Sequence, residues 1–412
     1  MPNDRSSLSN LKYTIEHHHD ISNIIDILKK NNDSKFQTYI IWLSGAIACI
    51  EKENLIILSV RNHNGNLIAT SCIEIFHIDF SEDFVSNKIK VFLRWLERFH
   101  IIPIFWRCQY ATIWIPPFYQ FSGIYYHIDI NENEVNEIND IIQKYVFQIR
   151  SNILFILEIK EANQKNKNII MNNDREFILP WYKTTIAMFP SNIDSLEKYI
   201  NLICKKRRRK NLKLYKKQFK DGGGKTRYLF SSLKIDFDEI QTRMKELTLL
   251  KLETERRNEK KEDVYTIEFG NEWMSSMILT NKLLNNNHII FIFAEENSNE
   301  HLLGFMLLFI HSSTNQIIAK AIGIHDNIHT RQLKVYQNLV LSAIDWSLIN
   351  GYNVIDFGTS HEETKALLID KDIRLCDDEH TRAMVKIILR SKNLFYKFIT
   401  NQMINCIRPK DA

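Results

Sequence analysis

The chain has 412 residues, of which 44% are apolar and 11% aromatic, and this composition excludes a disordered protein and allows two or three folded domains. Its net charge of +5 is small and no apolar run is long enough to cross a bilayer, so the sequence predicts a soluble globular protein. The first residues lack a secretory signal pattern and the six cysteines show no Cys-x-x-Cys spacing, so we expect reduced thiols and a cytoplasmic location.

The N-terminal half alternates predicted strands and helices. Two strand-like runs within residues 54–76 meet at Asn64-Gly65, which is a strong hairpin signal. A helix is predicted in EVNEINDIIQKYVFQI, and a strand is predicted in the following ILFILEI. The Asn/Lys-rich stretch 161–176 predicts a surface loop, and we place a domain boundary between residues 175 and 176.

A basic helix is predicted early in the second half, over residues 205–220, after a helix that starts near Ser191 or Asp194. Its residues Leu212, Tyr215 and Phe219 fall at i, i+3 and i+7, so one apolar stripe is expected to be buried with the cations outside. The GGGKT that follows is not a phosphate-binding loop, because Phe219 occupies the position of its first glycine. These glycines predict a helix end and a turn into the strand KTRYLF.

The rest of the chain predicts a regular succession of elements. An amphipathic helix in DEIQTRMKELTLLKLE leads into a charged loop over 251–263. The predicted elements after it are a helix in EWMSSMILTNKLL, strands in HIIFIFA, HLLGFMLLFIHS and QIIAKAIGIH, a long helix in RQLKVYQNLVLSAIDWSLIN, a strand in YNVIDFG, a short helix and a last strand in AMVKIIL.

This order of elements resembles the acyl-CoA N-acyltransferases of the GNAT superfamily. Residues 181–395 resemble the FemAB-like branch more specifically, through KKRRRKNLKLYKKQFKDGG, GFMLLFIHSSTNQIIAKAIGIH and YQNLVLSAIDWSLINGYNVIDFGTSHEETKALL. Members of that branch end the long helix and the next strand in glycine and carry a lysine seven residues later, as Gly351, Gly358 and Lys365 do here. The resemblance implies an α/β fold with mixed sheets and two tandem GNAT-like domains: a degenerate one over 1–175 and an acyltransferase domain over 176–412.

The resemblance also implies a reaction. It is N-acyl transfer from a thioester, with acyl-CoA or an acyl carrier protein as co-substrate and no metal, to an amine of a small molecule, peptide or cell-envelope precursor. Two alternatives stay open. One is a FemAB-like transferase that uses aminoacyl-tRNA and acts on a peptidoglycan-type precursor, and the other is a GNAT-like binding protein without catalysis.

Residues for catalysis follow from the resemblance and from elementary chemistry. His361 or Glu362 is the candidate to take the proton of the amine, and Tyr336 is the candidate to protonate the leaving group. The alternative is that His361 and Glu362 form an ordinary N-terminal helical turn and that Tyr336 is a core aromatic.

Donor binding is assigned to residues near the end of the third strand and beyond it. The stretch HTRQLKVY, residues 329–336, lacks the glycine of the usual pyrophosphate loop, so side chains are expected to replace its backbone contacts. The candidates are Arg331, Lys334, Lys365, His325 and Asp326. His325 and His329 have i, i+4 spacing without a third ligand, so we expect no metal site.

The basic segment Lys205–Lys217 contains nine lysines and arginines and no acidic residue. Arg207, Arg208, Arg209 and Lys213 are expected to contact an anionic partner, which is tRNA, an acidic carrier protein or a phosphorylated acceptor. The alternative is a solvated helix face without a partner.

Overall fold

The computed structural model describes the following residues: 13–18, 34–50, 52–79, 107–115, 118–127, 129–150, 153–160, 170–173, 176–183, 185–202, 205–258, 267–284, 288–296, 301–311, 315–358, 368–369, 374–375 and 382–390. The helices in these ranges are α1 (Ser34–Cys49), α2 (Glu132–Ile149), α3 (Leu196–Leu202), α4 (Lys206–Asp221), α5 (Lys234–Thr242), α6 (Met244–Asn258), α7 (Ile267–Leu283), α8 (Ile328–Gln332) and α9 (Val335–Ile349), with a 3-10 turn at Lys52–Asn54.

The strands are β1 (Tyr13–His18), β2 (Leu55–Asn62), β3 (Leu67–Asp79), β4 (Arg107–Ile115), β5 (Phe118–Ser122), β6 (Ile124–Tyr126), β7 (Ile153–Lys160), β8 (Ile170–Asn173), β9 (Glu176–Lys183), β10 (Ile186–Met188), β11 (Gly224–Phe230), β12 (Ile289–Glu296), β13 (Leu302–His311), β14 (Gln316–Ile324), β15 (Val354–Asp356), β16 (Arg374–Leu375) and β17 (Arg382–Leu389). They form two sheets that each contain parallel and antiparallel pairs, which confirms the predicted mixed α/β class.

The chain divides into two compact units. The first comprises Met1–Ile27, Ile50–Tyr182 and Arg382–Ala412, and the second comprises Leu28–Cys49 and Lys183–Thr381. The change of unit after Tyr182 lies close to the boundary expected at 175/176. Two segments, however, belong to the unit opposite to their position in the sequence: α1 to the second unit and β17 to the first.

The first unit is built on a sheet with the strand order β1-β2-β3-β4-β7-β17-β9-β8, with β5 paired to β4 and β6 paired to β3. The hairpin predicted at Asn64-Gly65 is confirmed between β2 and β3, where Gly65 has φ 78°. The predicted helix is confirmed as α2, which begins with a capping box between Asn131 and Glu134 and packs Ile138 and Val146 into the core of this unit.

Two predictions for the first unit need correction. The strand in AMVKIIL does not join the sheet of the second half, because as β17 it pairs antiparallel with β7. The stretch 161–176 is not wholly a loop, because it contains β8, which pairs with β9. The partner of β17 is distant in sequence, and β8 is a strand of four residues that ends in two asparagines, so a local pattern does not reveal either pairing.

The second unit has a seven-stranded sheet in the order β11-β12-β13-β14-β15-β10-β16. On one face, α3, α4 and α9 bury an apolar cluster that includes Leu212, Phe219 and Leu339, with Tyr215 packed against it. The predicted basic helix and its apolar stripe are therefore confirmed. Gly223, with φ 83°, lies in the turn between α4 and β11, as the glycine run predicts.

Helix α1 packs in the second unit although it comes from the N-terminal part of the sequence. The Trp42 ring meets Phe309 of β13 edge to face at 4.5 Å between centroids. The Ser276 hydroxyl of α7 donates to the Ser44 carbonyl at 2.8 Å, which joins the two helices. None of the helices in the described part of the chain is both long and apolar enough to span a membrane.

Two further predicted helices are each interrupted and form two separate helices. The amphipathic helix is divided at Arg243 into α5 and α6, and α6 continues to Asn258, so the predicted loop over 251–263 is helical in its first part. The long helix is divided into α8 and α9 by Leu333 and by Lys334, whose φ of 56° is left-handed. A lysine in that conformation has no glycine-like signal in the sequence, so the break is not predicted.

Candidate active site

The parting of β14 from β15 defines the candidate site. The two strands pair in parallel only from Gln316–Val354 to Ile318–Asp356, where β15 ends. On its other side β14 stays paired with β13 as far as Ile324. Residues 319–323 of β14 therefore have an edge that β15 does not cover, and we call this stretch the open edge.

Helix α6 lies against β14 at the far end of the open edge. The Thr254 hydroxyl accepts the backbone N–H of Ile324 at 2.8 Å and donates to the Leu250 and Ile324 carbonyls at 3.0 and 3.2 Å. A Cβ on Gly323 would come within 2.7 Å of the backbone nitrogen of Lys251, so the close approach of α6 requires glycine at this position. A helix side chain thus replaces the missing strand at Ile324.

The N-terminus of α9 lies near the same end of the sheet. A Cβ on Gly304, which pairs with Ile324, would lie 3.2 Å from a methyl group of Val335 in the first turn of α9. Lys334 is the N-cap residue and makes no side-chain capping hydrogen bond. Tyr336, the predicted acid, is also in this first turn and is half-buried against the core. Backbone N–H groups at a helix start carry partial positive charge and attract anions.

His325 and Glu253 form a hydrogen-bonded pair just beyond the end of β14. His325 Nδ1 lies 3.1 Å from Glu253 Oε2, and Glu253 Oε1 accepts the backbone N–H of Asp326 at 2.6 Å. The His325 ring also stacks on His301, with 5.6 Å between ring centroids. A carboxylate that holds one imidazole nitrogen orients the ring for proton exchange at the other, so this pair can act in acid–base chemistry.

The predicted donor-binding cations lie after this pair. The Arg331 guanidinium pairs with the Asp326 carboxylate, and its side chain remains 63% exposed. His329 contacts Glu296 of β12, with 2.8 Å between its Nε2 and Glu296 Oε1. Among the residues described, no three His, Cys, Asp or Glu side chains gather closely enough to hold a metal ion. The structure thus brings together His325, Asp326 and Arg331, with Lys334 following directly in the chain.

Lys320 is a residue of this region that the sequence analysis missed. It is the extra residue of a β-bulge in β14, because Ala319 pairs with Leu308 and Ala321 pairs with Leu307. It is the second residue of the open edge. Burial lowers the pKa of its amine to about 7, with a further lowering by Lys251 and an opposing effect of Asp356. The available signal was the lone cation in the apolar run QIIAKAIGI.

A buried carboxylate lies near the end of β12, at the same end of the sheet as Ile324. Glu295 is fully buried and accepts hydrogen bonds from Arg227 Nε at 2.9 Å and from Arg243 at 3.4 Å. Arg227 also donates to Glu239 of α5, and its hydrogen bonds to the Glu295 and Glu239 carboxylates raise the pKa of the guanidinium. The same contact lowers the pKa of Glu239. Because every charge in this cluster faces an opposite one, we assign it a structural role.

The basic helix α4 is attached to the start of α9. Asn338 Nδ2 donates to the Tyr215 carbonyl of α4 at 3.2 Å and to the Lys334 carbonyl at 3.0 Å. Among the predicted docking residues, Arg207 and Lys213 are exposed. Arg208 and Arg209 are half-buried, and Arg208 donates to the Ile369 carbonyl at 3.2 Å. The outward cations of α4 therefore lie on a helix fixed to the N-terminus of α9.

His361, Glu362 and Lys365 lie outside the described residues, so their predicted roles stay predictions. The strand before them is described to Gly358, which has φ 71° and donates its N–H to Asp356 Oδ1 at 2.7 Å. The glycine that the resemblance placed at the end of this strand thus has the left-handed conformation that favours glycine.

Comparison with known proteins returns similarity in structure but not in sequence. No protein-family model matches the chain, and no curated protein matches its sequence. Among solved structures, the chain is similar to FemX, with 11% identity over 93% of this chain and 99% of that one and a TM-score of 0.49. It is similar to L-PGS from Bacillus licheniformis, with 8% identity over 94% and 96% and a TM-score of 0.47. It is also similar to a tandem GNAT protein from the clavulanic acid biosynthesis pathway, with 7% identity over 92% and 99% and a TM-score of 0.43.

Proposed function

We propose that the protein transfers an acyl group from a thioester donor to an amine. The observation that carries this proposal is the parting of β14 and β15 beyond Ile318 and Asp356, beside the N-terminus of α9. An extended donor chain can pair with the backbone of an uncovered strand edge, as an added strand does. Its uncharged acyl end then lies near the point of parting, and its charged end lies outside.

The cations beyond β14 fit the charged end of such a donor. Arg331 and Lys334 flank the start of α9, where helix N–H groups also favour phosphate. Arg331 already pairs with Asp326, so a donor phosphate would share this arginine rather than meet an unpaired one. Acyl-CoA is our first donor class and an acyl carrier protein our second, because both present a phosphate near the pantetheine arm that bears the thioester.

The reaction requires that the donor and the amine are held in position, that one proton is taken from the amine and that one is given to the leaving thiolate. The amine must be neutral when it attacks the carbonyl carbon, and a base must then take its proton. Among the described residues, His325 held by Glu253 is a base of this kind, and Tyr336 is an acid for the departing thiolate. His361 and Glu362 remain proposed bases and Lys365 a proposed donor contact.

The test is thiol release from acyl-CoA in the presence of amines. The full chain is incubated with acetyl-CoA or longer acyl-CoA and a panel of amines, and released CoA is measured. Arg331→Glu should raise the KM for acyl-CoA about tenfold, which corresponds to one lost phosphate contact, while kcat changes little. Lys234→Glu is the control. This exposed lysine begins α5 directly after Leu233, whose N–H donates to the Phe230 carbonyl at the opposite end of β11 from Gly224. Equal effects of the two variants would contradict the proposed donor position.

A second candidate function is transfer from aminoacyl-tRNA, favoured by the exposed cations of α4. Five exposed lysines recur at spacings of three or four residues and so follow one face of the helix: Lys206, Lys210, Lys213, Lys217 and Lys220. Transfer from charged tRNA that weakens steeply between 50 and 200 mM salt, expected for several phosphate contacts, would favour this candidate. An absence of thiol release and of tRNA-dependent transfer in a folded chain would leave a binding protein without catalysis.

A further inference from the structure

Lys320 is the inserted residue of the β-bulge in β14, and a bulge changes the direction in which a side chain leaves the strand. A β-bulge inserts one extra residue opposite the neighbouring strand and bends the chain locally. Here the inserted residue is Lys320, between the paired Ala319 and Ala321, and it lies two residues beyond Ile318, the last residue paired with β15. Its side chain therefore leaves β14 close to the point where the two strands part.

Three elements of the described structure contribute to the surroundings of Lys320. On β14 its neighbours are the alanines and isoleucines of the run, which offer no charge. Lys251 of α6 opposes its protonation, and Asp356 of β15 favours it. Removal from water has the largest effect, so the amine has a pKa of about 7 although the residue keeps some exposure to solvent. At neutral pH the amine is unprotonated in about half of the molecules. Only an unprotonated nitrogen can attack a carbonyl carbon.

We propose that Lys320 is itself an acylation site, at which an acyl group from a thioester is attached to Nζ. The inference rests on the proposed function for one point only, namely that the thioester carbonyl reaches the parting of β14 and β15. The nitrogen lone pair attacks the carbonyl carbon, the carbon–sulfur bond breaks, and the thiol leaves with the proton that the amine gives up. The products are an amide on Lys320 and a free thiol, and no other reactant is needed.

The amide would not return the acyl group to a second amine, because an amide is far less reactive than a thioester. Acylation would therefore remove the charge that Lys320 carries when protonated and would fill the parting of the two strands. A chain modified in this way is expected to lose transfer to external amines. Self-acylation would thus limit turnover whenever donor is abundant and acceptor is scarce.

The experiment is mass spectrometry of the intact full chain, followed by peptide mapping. The probes are acetyl-CoA and S-acetyl-N-acetylcysteamine, a small thioester without phosphate, each at pH 6, 7 and 8. We expect one acetyl group on Lys320, added at pH 7 roughly tenfold or more faster than on the exposed lysines of α4. The rate should approach a plateau above pH 7, and Lys320→Arg should abolish the modification. Lys251→Arg is the matched control and should keep it.

The outcome is readable in the wild-type chain, so the test does not depend on the folding of a variant. Acetyl groups spread over exposed lysines, or a map that shows Lys320 unmodified after both probes, would overturn the inference. Transfer to added amines is measured in parallel. A chain that acylates amines but leaves Lys320 unmodified contradicts this inference alone, whereas a chain that acylates Lys320 but no amine contradicts the proposed function alone.

Discussion

The Thr254 hydroxyl accepts the N–H of Ile324 at 2.8 Å, and this bond gives β14 a partner beyond the point where β15 ends. β15 stops opposite Ile318, and six residues later a helix side chain supplies the partner that a strand would have supplied. The hydroxyl also donates to the Ile324 and Leu250 carbonyls, so α6 and β14 are held together at this point. The segment between Ile318 and Ile324 is therefore held at both ends, by β15 at Ile318 and by Thr254 at Ile324.

Thr254→Val should loosen this end of the open edge. Valine keeps the shape of threonine but leaves the N–H of Ile324 without its acceptor, which costs about 1–3 kcal/mol for a buried donor. Hydrogen exchange followed by mass spectrometry should show faster exchange in peptides from α6 and from the end of β14. Thr254→Ser keeps the hydroxyl and loses one methyl group, so it should cost below about 1 kcal/mol. Equal exchange in the two variants would refute the role of the hydroxyl.

The Arg227–Glu295 pair should matter far more than an exposed ion pair. Arg227→Met leaves the Glu295 carboxylate, which has no solvent exposure, with weaker partners, and breaking a buried pair costs about 3–5 kcal/mol. Arg61→Met breaks an exposed pair with Glu16 and should cost less than about 1 kcal/mol. Thermal unfolding of both variants tests this difference, and similar shifts would show that Glu295 relaxes to other cations.

Much of the fold could be predicted from local sequence patterns. Alternating apolar residues, the Asn64-Gly65 turn and the Leu212–Phe219 stripe predicted β2, β3 and α4, because each pattern is contained within one element. The exchange of α1 and β17 between the units could not be predicted, because no local pattern says which sheet an apolar helix or strand will join. The break at Lys334 could not be predicted either, because Asn338, which donates to the Lys334 carbonyl, also makes a tertiary hydrogen bond to the Tyr215 carbonyl of α4.

The candidate site was only partly visible in the sequence. His325, Asp326 and Arg331 were assigned to donor binding from their position after a predicted strand, and the structure places them together. Glu253 was missed because it is the last residue of the predicted amphipathic helix, where the charged loop over 251–263 was expected to begin, and no local pattern pairs it with His325. Lys320 was missed because its bulge depends on the pairing of β14 with β13, and the register of two strands cannot be predicted from one of them alone.

The membership of α1 in the second unit predicts a long-range effect on stability. Trp42 is 1% exposed and contacts Phe309, so Trp42→Ala should destabilise the second unit by about 3–5 kcal/mol. Trp42→Phe keeps an aromatic ring against Phe309 and should cost less. The measurement is hydrogen exchange in β13 peptides, compared with β2 peptides of the first unit as an internal control. Faster exchange confined to β2 would contradict the assignment of α1.

The lowered pKa of Lys320 predicts that the stability of the second unit depends on pH. In the unfolded chain this amine has an ordinary pKa near 10.4, whereas in the folded chain it titrates at about 7. Between these values the unfolded state binds a proton that the folded state does not, so the contribution of Lys320 to stability rises as pH rises from 7. Well below pH 7 both states bind the proton, so the contribution of Lys320 no longer changes with pH.

Lys320→Met removes this titration and provides the comparison. The difference in unfolding free energy between wild type and Lys320→Met should move in favour of the wild type from pH 7 to pH 9, measured by urea unfolding at each pH. Lys251→Met should raise the pKa of Lys320, because a neighbouring positive charge is gone, and the pH-dependent gain should then begin at a higher pH. Parallel curves for wild type and Lys320→Met would mean that the amine keeps an ordinary pKa, and they would contradict the lowering assigned to its burial.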